Sequence, residues 1–278
     1  MCEIYKTSWK ILFKNKAIFL PTIIYITITY VLFIIAFYAS GLSSIETNGS
    51  IQTYIQMLKT IFVKATVVLS IFFIIDFIIA ALIKSVRLSY IKQAISNKKI
   101  DPKNDFKLGI KNFKSVLLIK FIIFLLYAIT ISILITLLII ISTLLQWTNY
   151  TQNNSLELNG WIFLFFIFIA VILIALKTLN TYPALFLKNL KGKKAFIHSY
   201  KLFLNNKKEV IKTLLAIFLT SGIFASIISL IISYILNLIS TSLSPLIDIT
   251  NVILLIITTS WIDNYIMLKF KELKAPKP

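Results

Sequence analysis

Four ionisable side chains lie inside long apolar stretches of this sequence: Asp76 in "IFFIIDFIIAA", Asp263 in "TTSWIDNYIM", Lys120 in "LLIKFIIF" and Lys177 in "IALKTLN". A charged side chain in hydrocarbon costs about 2.5–3.5 kcal/mol on insertion scales, so each is a candidate for function. Two interpretations follow. Either the aspartates line a polar cavity and contact a cation, a proton or a lipid headgroup, or they form structural ion pairs with the two lysines.

Catalytic motifs do not accompany these residues. The single histidine, His198, has no carboxylate nearby in sequence, and G-x-S-x-G, H-E-x-x-H, P-loop and G-x-G-x-x-G motifs are all missing. One cysteine, Cys2, excludes an internal disulfide and a cysteine metal cluster. We therefore predict a non-enzymatic protein with no catalytic residue, no metal and no cofactor. An intramembrane enzyme built on aspartates is the weakest alternative.

The composition indicates the elements that must position the polar groups. Of the 278 residues, 58% are hydrophobic and only 14% are charged, and the mean hydropathy is +0.90. Uncharged runs of about 20 residues can cross a bilayer as helices, and continuous rather than alternating runs disfavour a β-barrel. We predict an all-α polytopic membrane protein with six transmembrane helices. The predicted spans are Ala17–Ala39, Ala65–Ile83, Val116–Leu145, Trp161–Leu187, Val210–Ile239 and Leu246–Leu268.

The 29 basic residues lie almost entirely on one side of these spans. All but Lys59 and Lys64 precede span 1, follow span 6, or lie in or beside the connections between spans 2 and 3 and between spans 4 and 5. By the positive-inside rule, both termini are cytoplasmic in a plasma membrane. The formal charge of +19 is then an orientation signal that also favours anionic lipid headgroups, and it excludes nucleic acid as the expected partner.

A basic, aromatic phrase occurs twice, as "TSWKILFKNK" from Thr7 and as "HSYKLFLNNK" from His198, and more weakly as "DFKLGIKNFK" from Asp105. Apolar positions spaced i, i+4, i+7 with lysines opposite predict short amphipathic helices in the cytoplasmic interface, each leading into a span. The predicted lipid or partner face of these helices consists of Trp9, Lys10, Lys14, Lys111, Tyr200 and Lys201.

A second pattern has the same period. Asp76, Asn180 and Asp263 each precede a lysine by eight residues, late in spans 2, 4 and 6, which makes Asn180 a fifth intramembrane polar candidate. Together the two patterns predict a single transmembrane domain of three tandem two-helix units, approximately residues 1–95, 96–190 and 191–278. Every unit begins and ends on the same side, so the repeats are parallel rather than inverted.

Small residues and a proline mark two further positions. Span 5 carries a stripe that predicts close helix packing, and Pro183 predicts a kink or an end in span 4. The stripe consists of Gly222, Ala225, Ser226, Ser229 and Ser233.

The phrase S-[WY]-K-x-[LF], as Ser8-Trp9-Lys10 and Ser199-Tyr200-Lys201, and the segment "YPALF" (Tyr182–Phe186) carry a resemblance. The chain resembles the six-span membrane domain attached to some bacterial glycerophosphodiester phosphodiesterases, and related stand-alone bacterial membrane families. The resemblance implies the fold and a bacterial inner membrane. It does not imply phosphodiesterase activity, which in that family belongs to a separate soluble domain whose acidic and histidine motifs this sequence lacks.

Two functions follow from these patterns. The first is a scaffold, accessory, regulatory or immunity-type membrane module that contacts anionic lipid or a partner protein at its cytoplasmic face. The alternative is a transporter, or a permease subunit served by a partner ATPase, that moves a small or amphiphilic solute past Asp76 and Asp263.

Overall fold

The computed structural model describes residues 2–42, 51–147, 155–239 and 244–273, and every regular element in these ranges is helical. The described chain contains six helical stretches long and apolar enough to cross a membrane. They are Lys16–Ser40, Ile61–Ile95, Pro102–Ile140, Phe163–Leu187, Lys207–Ile235 and Leu246–Glu272. This confirms the prediction of an all-α, multi-pass membrane protein with six spans.

The first half of the chain contains four α-helices, α1 (Cys2–Lys14), α2 (Leu20–Ser40), α3 (Ile51–Ile95) and α4 (Pro102–Trp147), with a short 3₁₀ turn before α2. The second half contains α5 (Ser155–Thr178), α6 (Thr181–Leu187), α7 (Lys193–Asn205), α8 (Lys207–Ile217), α9 (Ala225–Ile239) and α10 (Ser244–Glu272). A π-helical segment, Phe218–Phe224, joins α8 to α9 within span 5.

The three copies of the basic phrase fold in two ways. The first and third form separate helices, α1 and α7, which end beside Asn15 and Asn206. Each asparagine leaves the helical conformation and donates a side-chain hydrogen bond to the carbonyl four residues earlier, at 2.9 and 3.1 Å. Asparagine favours such local bonds at helix ends. The middle copy has Val116 at the corresponding position, and there α4 continues unbroken into the span.

The helix of span 4 is interrupted for two residues, just before the turn that contains its proline. Helix α5 ends at Thr178, and α6 begins at Thr181, with Asn180 in a non-helical conformation before it. Pro183 then occupies the first turn of α6, where its missing N–H is not needed and its ring disfavours a helical residue 179. The predicted kink or end is therefore realised as a break on the N-terminal side of Pro183.

The chain divides into two compact units. One comprises Cys2–Lys114 with Ile232–Asn264, and in it α2 packs along α3. The other comprises Ser115–Ile231 with Tyr265–Pro278, and its apolar core forms around Leu176, Phe203 and Val210. These boundaries differ from the tandem units predicted by the repeat, which stay a prediction.

Candidate functional site: polar groups of the spans

Asp263 lies in a buried ion pair with Arg87. The guanidinium Nε donates to Asp263 Oδ2 at 2.8 Å, and Nη2 donates to the same oxygen. Lys84, one helical turn before Arg87, places its Nζ 3.6 Å from Oδ1. Only 8% of the Asp263 side chain is exposed, so the carboxylate depends on these two cations for its charge balance.

Hydroxyl groups extend this cluster from α3 and α10 to the start of α2. Arg87 Nη1 donates to Thr22 Oγ1 at 2.9 Å, and Thr22 Oγ1 lies 3.5 Å from Ser260 Oγ. Both hydroxyl residues are buried. All three guanidinium nitrogens are thus engaged, and spans 1, 2 and 6 meet around one arginine. The arrangement is that of a structural anchor with little freedom to exchange a ligand.

The predicted structural ion pairing of Asp263 is present, but its predicted partners, Lys120 and Lys177, were wrong. The partners are Arg87 and Lys84, because residues three apart on α3 face the same way toward α10. Lys120 is half-buried in α4. Lys177 is exposed at the end of α5, where its Nζ lies 5.8 Å from the centroid of the Tyr200 ring.

Asp76 has a different environment. Tyr25 Oη donates to both of its carboxylate oxygens, at 3.0 and 3.1 Å, and Thr29 Oγ1 donates to Oδ1 at 2.8 Å. Both donors lie on α2, one turn apart, and the Asp76 side chain is half-buried between α2 and α3. In the described part of the chain no basic side chain forms an ion pair with Asp76, and the side-chain groups that donate to its carboxylate there are these two hydroxyls.

Three small residues of the repeated phrase contact the ends of spans. Asn264 Nδ2 donates to the carbonyl of Ser8 at 2.7 Å, and Ser85 Oγ donates to the carbonyl of Gly109 at 2.6 Å. Ser8, Gly109 and Ser199, which occupy corresponding positions of the three copies, are all buried. The third of these contacts involves Asn180.

Asn180 packs against α7 through its backbone. Its N–H donates to Ser199 Oγ at 3.2 Å, and Ser199 Oγ donates to the carbonyl of Lys177 at 2.8 Å. Asn180 is 3% exposed, and its Nδ2 has no hydrogen-bond partner in the described structure. Asn180 is therefore a buried residue of the α5–α6 break whose backbone N–H is joined to α7 through Ser199.

Trp9 in α1 and Tyr200 in α7 each follow the serine of the repeated phrase. Each contacts a span residue that lies three positions before the asparagine bonded to that serine. Trp9 stacks on Trp261 with ring centroids 5.5 Å apart, and Trp261 is three residues before Asn264. Tyr200 lies beneath Lys177, which is three residues before Asn180. Trp9 was predicted to face lipid or a partner, but its ring is half-buried in this aromatic contact. The exposed remainder of the predicted face is Lys10, Lys14, Lys111, Tyr200 and Lys201.

His198 is half-buried on α7, and its ring centroid lies 6.2 Å from that of Phe270. Burial of the ring lowers the pKa of His198 below its ordinary value, and the positive charges of Lys188 and Lys201 lower it further. The neutral imidazole is favoured. No carboxylate contributes to this shift.

An ion network joins α8 to the end of α10. Lys269 Nζ contacts Glu209 Oε2 and Glu272 Oε2, each at 3.0 Å, while Lys212 Nζ lies 3.1 Å from Glu209 Oε1. Lys269 is buried and its partners are half-exposed. From the sequence, Lys269 was interpreted only as an orientation signal. Acidic residues are rare in this chain, so Glu209 and Glu272 could have indicated that a nearby lysine is paired.

The small-residue stripe of span 5 stays a prediction. At Gly222, a Cβ would meet Phe218 of the same π-helical segment at 3.6 Å, so the nearest neighbour belongs to span 5 itself. Gly222, Ala225, Ser229 and Ser233 are half-buried and Ser226 is exposed.

Arg87 is the main residue that sequence reasoning missed. It is the sole arginine among the 29 basic residues, all others being lysine. Lysine serves equally well as an orientation signal, whereas the rigid guanidinium fork suits buried carboxylates. The presence of a single arginine among lysines was therefore the signal in the sequence that could have indicated an ion pair.

The described residues contain no group of three or more histidine, cysteine, aspartate or glutamate side chains that could hold a metal ion. The chain matches no protein-family model, no curated protein and no solved structure.

Proposed function

We propose that this chain is a non-enzymatic membrane module whose α1, α7 and the start of α4 engage anionic lipid headgroups at the cytoplasmic face of a bacterial inner membrane. The observation that carries the proposal is the division of α7 into two faces. Ala195, Ser199 and Leu202 are buried, while Lys194 and Lys201 are exposed.

Large apolar side chains accompany the exposed lysines. On α7 these are Ile197, Tyr200 and Leu204, between 40% and 45% exposed. On α1, Phe13 is 55% exposed beside the exposed Lys10 and Lys14. A helix that presents lysines together with apolar side chains suits the interface, where each basic residue near an anionic surface contributes about 1 kcal/mol.

The packing supports three tandem units with a common design. Ser8, Gly109 and Ser199 are each a small buried residue at which a helix approaches the end of a span closely. We propose that each unit uses this position to fix its interfacial helix, and that the likeness to the membrane domains of bacterial glycerophosphodiester phosphodiesterases reflects this shared arrangement.

Within this proposal the chain acts as a scaffold, an accessory or regulatory subunit, or an immunity-type protein. A partner membrane protein, docked on the same cytoplasmic face, is consistent with each role. The engagement of Asp263 by Arg87 and Lys84, and the cationic surroundings of His198, support a non-enzymatic role.

Lipid retention by the full chain tests the proposal. The protein is purified in mild detergent from membranes of known lipid composition, and the co-purifying lipids are quantified by mass spectrometry. We expect Lys194→Gln with Lys201→Gln to lower the retained anionic lipid at least twofold.

The matched control is Lys59→Gln with Lys64→Gln, which removes the same charge on the predicted outer side. Equal anionic lipid in the α7 variant and the unaltered protein, or equal loss in the control, would contradict the proposal. Co-purification of a stoichiometric protein with unchanged lipid would favour the partner interpretation.

A second function, transport of a small or amphiphilic solute by this chain or by a permease that contains it, is favoured by one observation. Asp76 is an acidic side chain inside a span with no basic partner in the described structure. Asp263 no longer supports it, since Arg87 and Lys84 hold its carboxylate. If Asp76 binds the solute or its coupling ion, Asp76→Asn abolishes uptake at an unchanged protein level.

A further inference from the structure

The charges around helix α7 are not balanced within the protein. Between Glu157 and Glu209 the sequence contains no acidic residue, and every charged side chain there is a lysine. Glu209 and Glu272 form ion pairs with Lys269. Among the residues that the structure describes, no lysine of α7 forms an ion pair. The positive charge of α7 is therefore open to an anion from outside the chain.

Two lysines from different elements converge on the imidazole of His198. Lys201 follows His198 by three positions on α7, so the two side chains share a face of the helix. Lys188 comes from the turn between α6 and α7, in which Asn189 and Gly192 have φ values of 53° and 48°. Burial of the ring is the largest cause that lowers the pKa of His198, and the charges of Lys188 and Lys201 lower it further. Both ammonium groups therefore lie near the ring.

Phe270 of α10 forms an apolar floor beneath these groups. Its ring is buried, and its centroid lies 6.2 Å from that of His198 and 6.0 Å from Lys188 Nζ. Lys188 and Lys201 are themselves exposed. Two positive charges at the surface thus lie beside a half-buried ring that is itself neutral. An anion in contact with both lysines would offset their mutual repulsion.

We propose that Lys188 and Lys201 bind one phosphate group between them, beside the ring of His198. Phosphate oxygens accept strong, charge-assisted hydrogen bonds from ammonium groups. The exposed Ile197 and Leu204 of the same helix suit contact with a bilayer, whose headgroups supply phosphate at that depth. This inference deepens the proposed function, and it rests on that function where the phosphate belongs to a lipid.

His198 is the single histidine of the chain, so it reports on this site without background. The full chain, without a histidine tag and labelled with ¹⁵N-histidine, is placed in nanodiscs of phosphatidylcholine alone or with added phosphatidylglycerol. NMR then follows the titration of the imidazole. A negative group close to an imidazole favours its protonated form, so we expect phosphatidylglycerol to raise the pKa of His198 by roughly 0.5–1 pH unit.

Lys188→Gln separates a bound phosphate from general attraction to the bilayer. A negative membrane surface favours protonation of any group near it, with or without a specific site. The matched control is Lys208→Gln, which removes the same charge from an exposed position on α8. We expect the rise in pKa caused by phosphatidylglycerol to fall at least twofold in Lys188→Gln and to stay unchanged in Lys208→Gln.

Inorganic phosphate distinguishes the two sources of the ligand. It is added to the unaltered chain in phosphatidylcholine nanodiscs, with sodium chloride at equal ionic strength as the comparison. A rise in the pKa of His198 with inorganic phosphate, and none with phosphatidylglycerol, would assign the site to a soluble phosphate compound.

Two results would overturn the site: no rise with either source of phosphate, or an equal rise in the unaltered chain and in both variants. If the purified protein still retains anionic lipid through Lys194 and Lys201, lipid engagement by α7 stands without this site. If that retention is lost as well, both proposals are wrong. The first of these results comes from the unaltered chain, so it does not depend on whether a variant folds.

Discussion

Arg87 and Asp263 are 176 residues apart in sequence and share two hydrogen bonds to a single carboxylate oxygen. Because Arg87 also donates to Thr22, this one side chain connects the cytoplasmically predicted ends of spans 1, 2 and 6. A buried charge pair is weak evidence for net stability, because the cost of desolvating both charges offsets their attraction. Removing only one partner of the pair, however, is costly because the other charge stays buried, and this allows a direct test.

Arg87→Met leaves Asp263 buried with Lys84 as its remaining cation. Breaking a buried pair on one side costs about 3–5 kcal/mol, and we expect a loss of unfolding free energy of that order. Arg87→Lys keeps the charge but not the fork of donors, so the loss is smaller. Thermal unfolding in detergent measures both.

Lys212→Met is the control for this experiment, since Lys212 and Glu209 form an exposed pair that contributes roughly 0–1 kcal/mol. A stability of Arg87→Met equal to that of Lys212→Met would show that the pair does not hold the spans together.

Gly109 lies where another backbone passes very closely. A Cβ on Gly109 would be 2.7 Å from the Cα of Val86, a backbone atom that cannot rotate away. We expect Gly109→Ala to lower stability by roughly 1–3 kcal/mol through overpacking. The unfolding midpoint in detergent reports this change.

Gly222→Ala is a matched substitution within another span, where the new Cβ meets Phe218 at an ordinary 3.6 Å. We expect it to leave stability unchanged or slightly raised, because alanine is the better helix former. Equal effects at Gly109 and Gly222 would argue against close backbone packing at Gly109.

Helix α1 is held by Asn264 and by the stacking of Trp9 on Trp261. Asn264→Ala removes the hydrogen bond to the Ser8 carbonyl, and we expect α1 to detach more often. Protease cleavage within residues 2–14 then becomes faster, while cleavage elsewhere keeps its rate. Lys10→Ala, an exposed position on the same helix, is the comparison. Unchanged cleavage in Asn264→Ala would mean that this contact does not control docking.

His198 gives the protein a pH dependence with a defined sign. Burial, Lys188 and Lys201 lower the pKa of its imidazole, so the unfolded chain takes up the proton at a higher pH than the folded chain. The stability that this group contributes is complete above its unfolded pKa of about 6.5 and is lost as the pH falls through the lower folded value. The unfolding midpoint should therefore decrease between pH 7 and pH 5.

The comparison for this prediction is His198→Gln, which keeps a polar side chain but cannot titrate. We expect its midpoint to change less over the same pH range. Identical curves for the two proteins would assign the acid sensitivity to other groups.

The spans were predictable because each is set by the length of an uncharged run, a local property of the sequence. The break at Asn180 was only approached through Pro183, since the proline constrains the residues before it rather than itself. The separation of α1 and α7 from their spans depended on Asn15 and Asn206, and the continuity of α4 on Val116. A repeat pattern describes only what the copies share, so it does not show where single residues make one copy end its helix and another continue.

Contacts between residues far apart in the sequence were harder to predict than the spans. Asp263 was recognised as costly, but whether Arg87, Lys120 or Lys177 neutralises it depends on helix rotation and neighbour choice, and neither is encoded in hydropathy. The hydroxyl lining of Asp76 was missed for a related reason. Tyr25 and Thr29 are ordinary in an apolar helix, and only the pairing of α2 with α3 gives them a role.

The hydrogen bond from Asn264 to Ser8 has a consequence for biosynthesis. Its two partners are 256 residues apart, so α1 is made long before its docking position in α10 exists. At roughly 5–20 residues per second, the interval is about 13–51 s. During that time the aromatic face of α1 lacks Trp261, and the membrane surface or a chaperone is the available cover. The time before α1 can dock is therefore set by the rate of translation between these two helices.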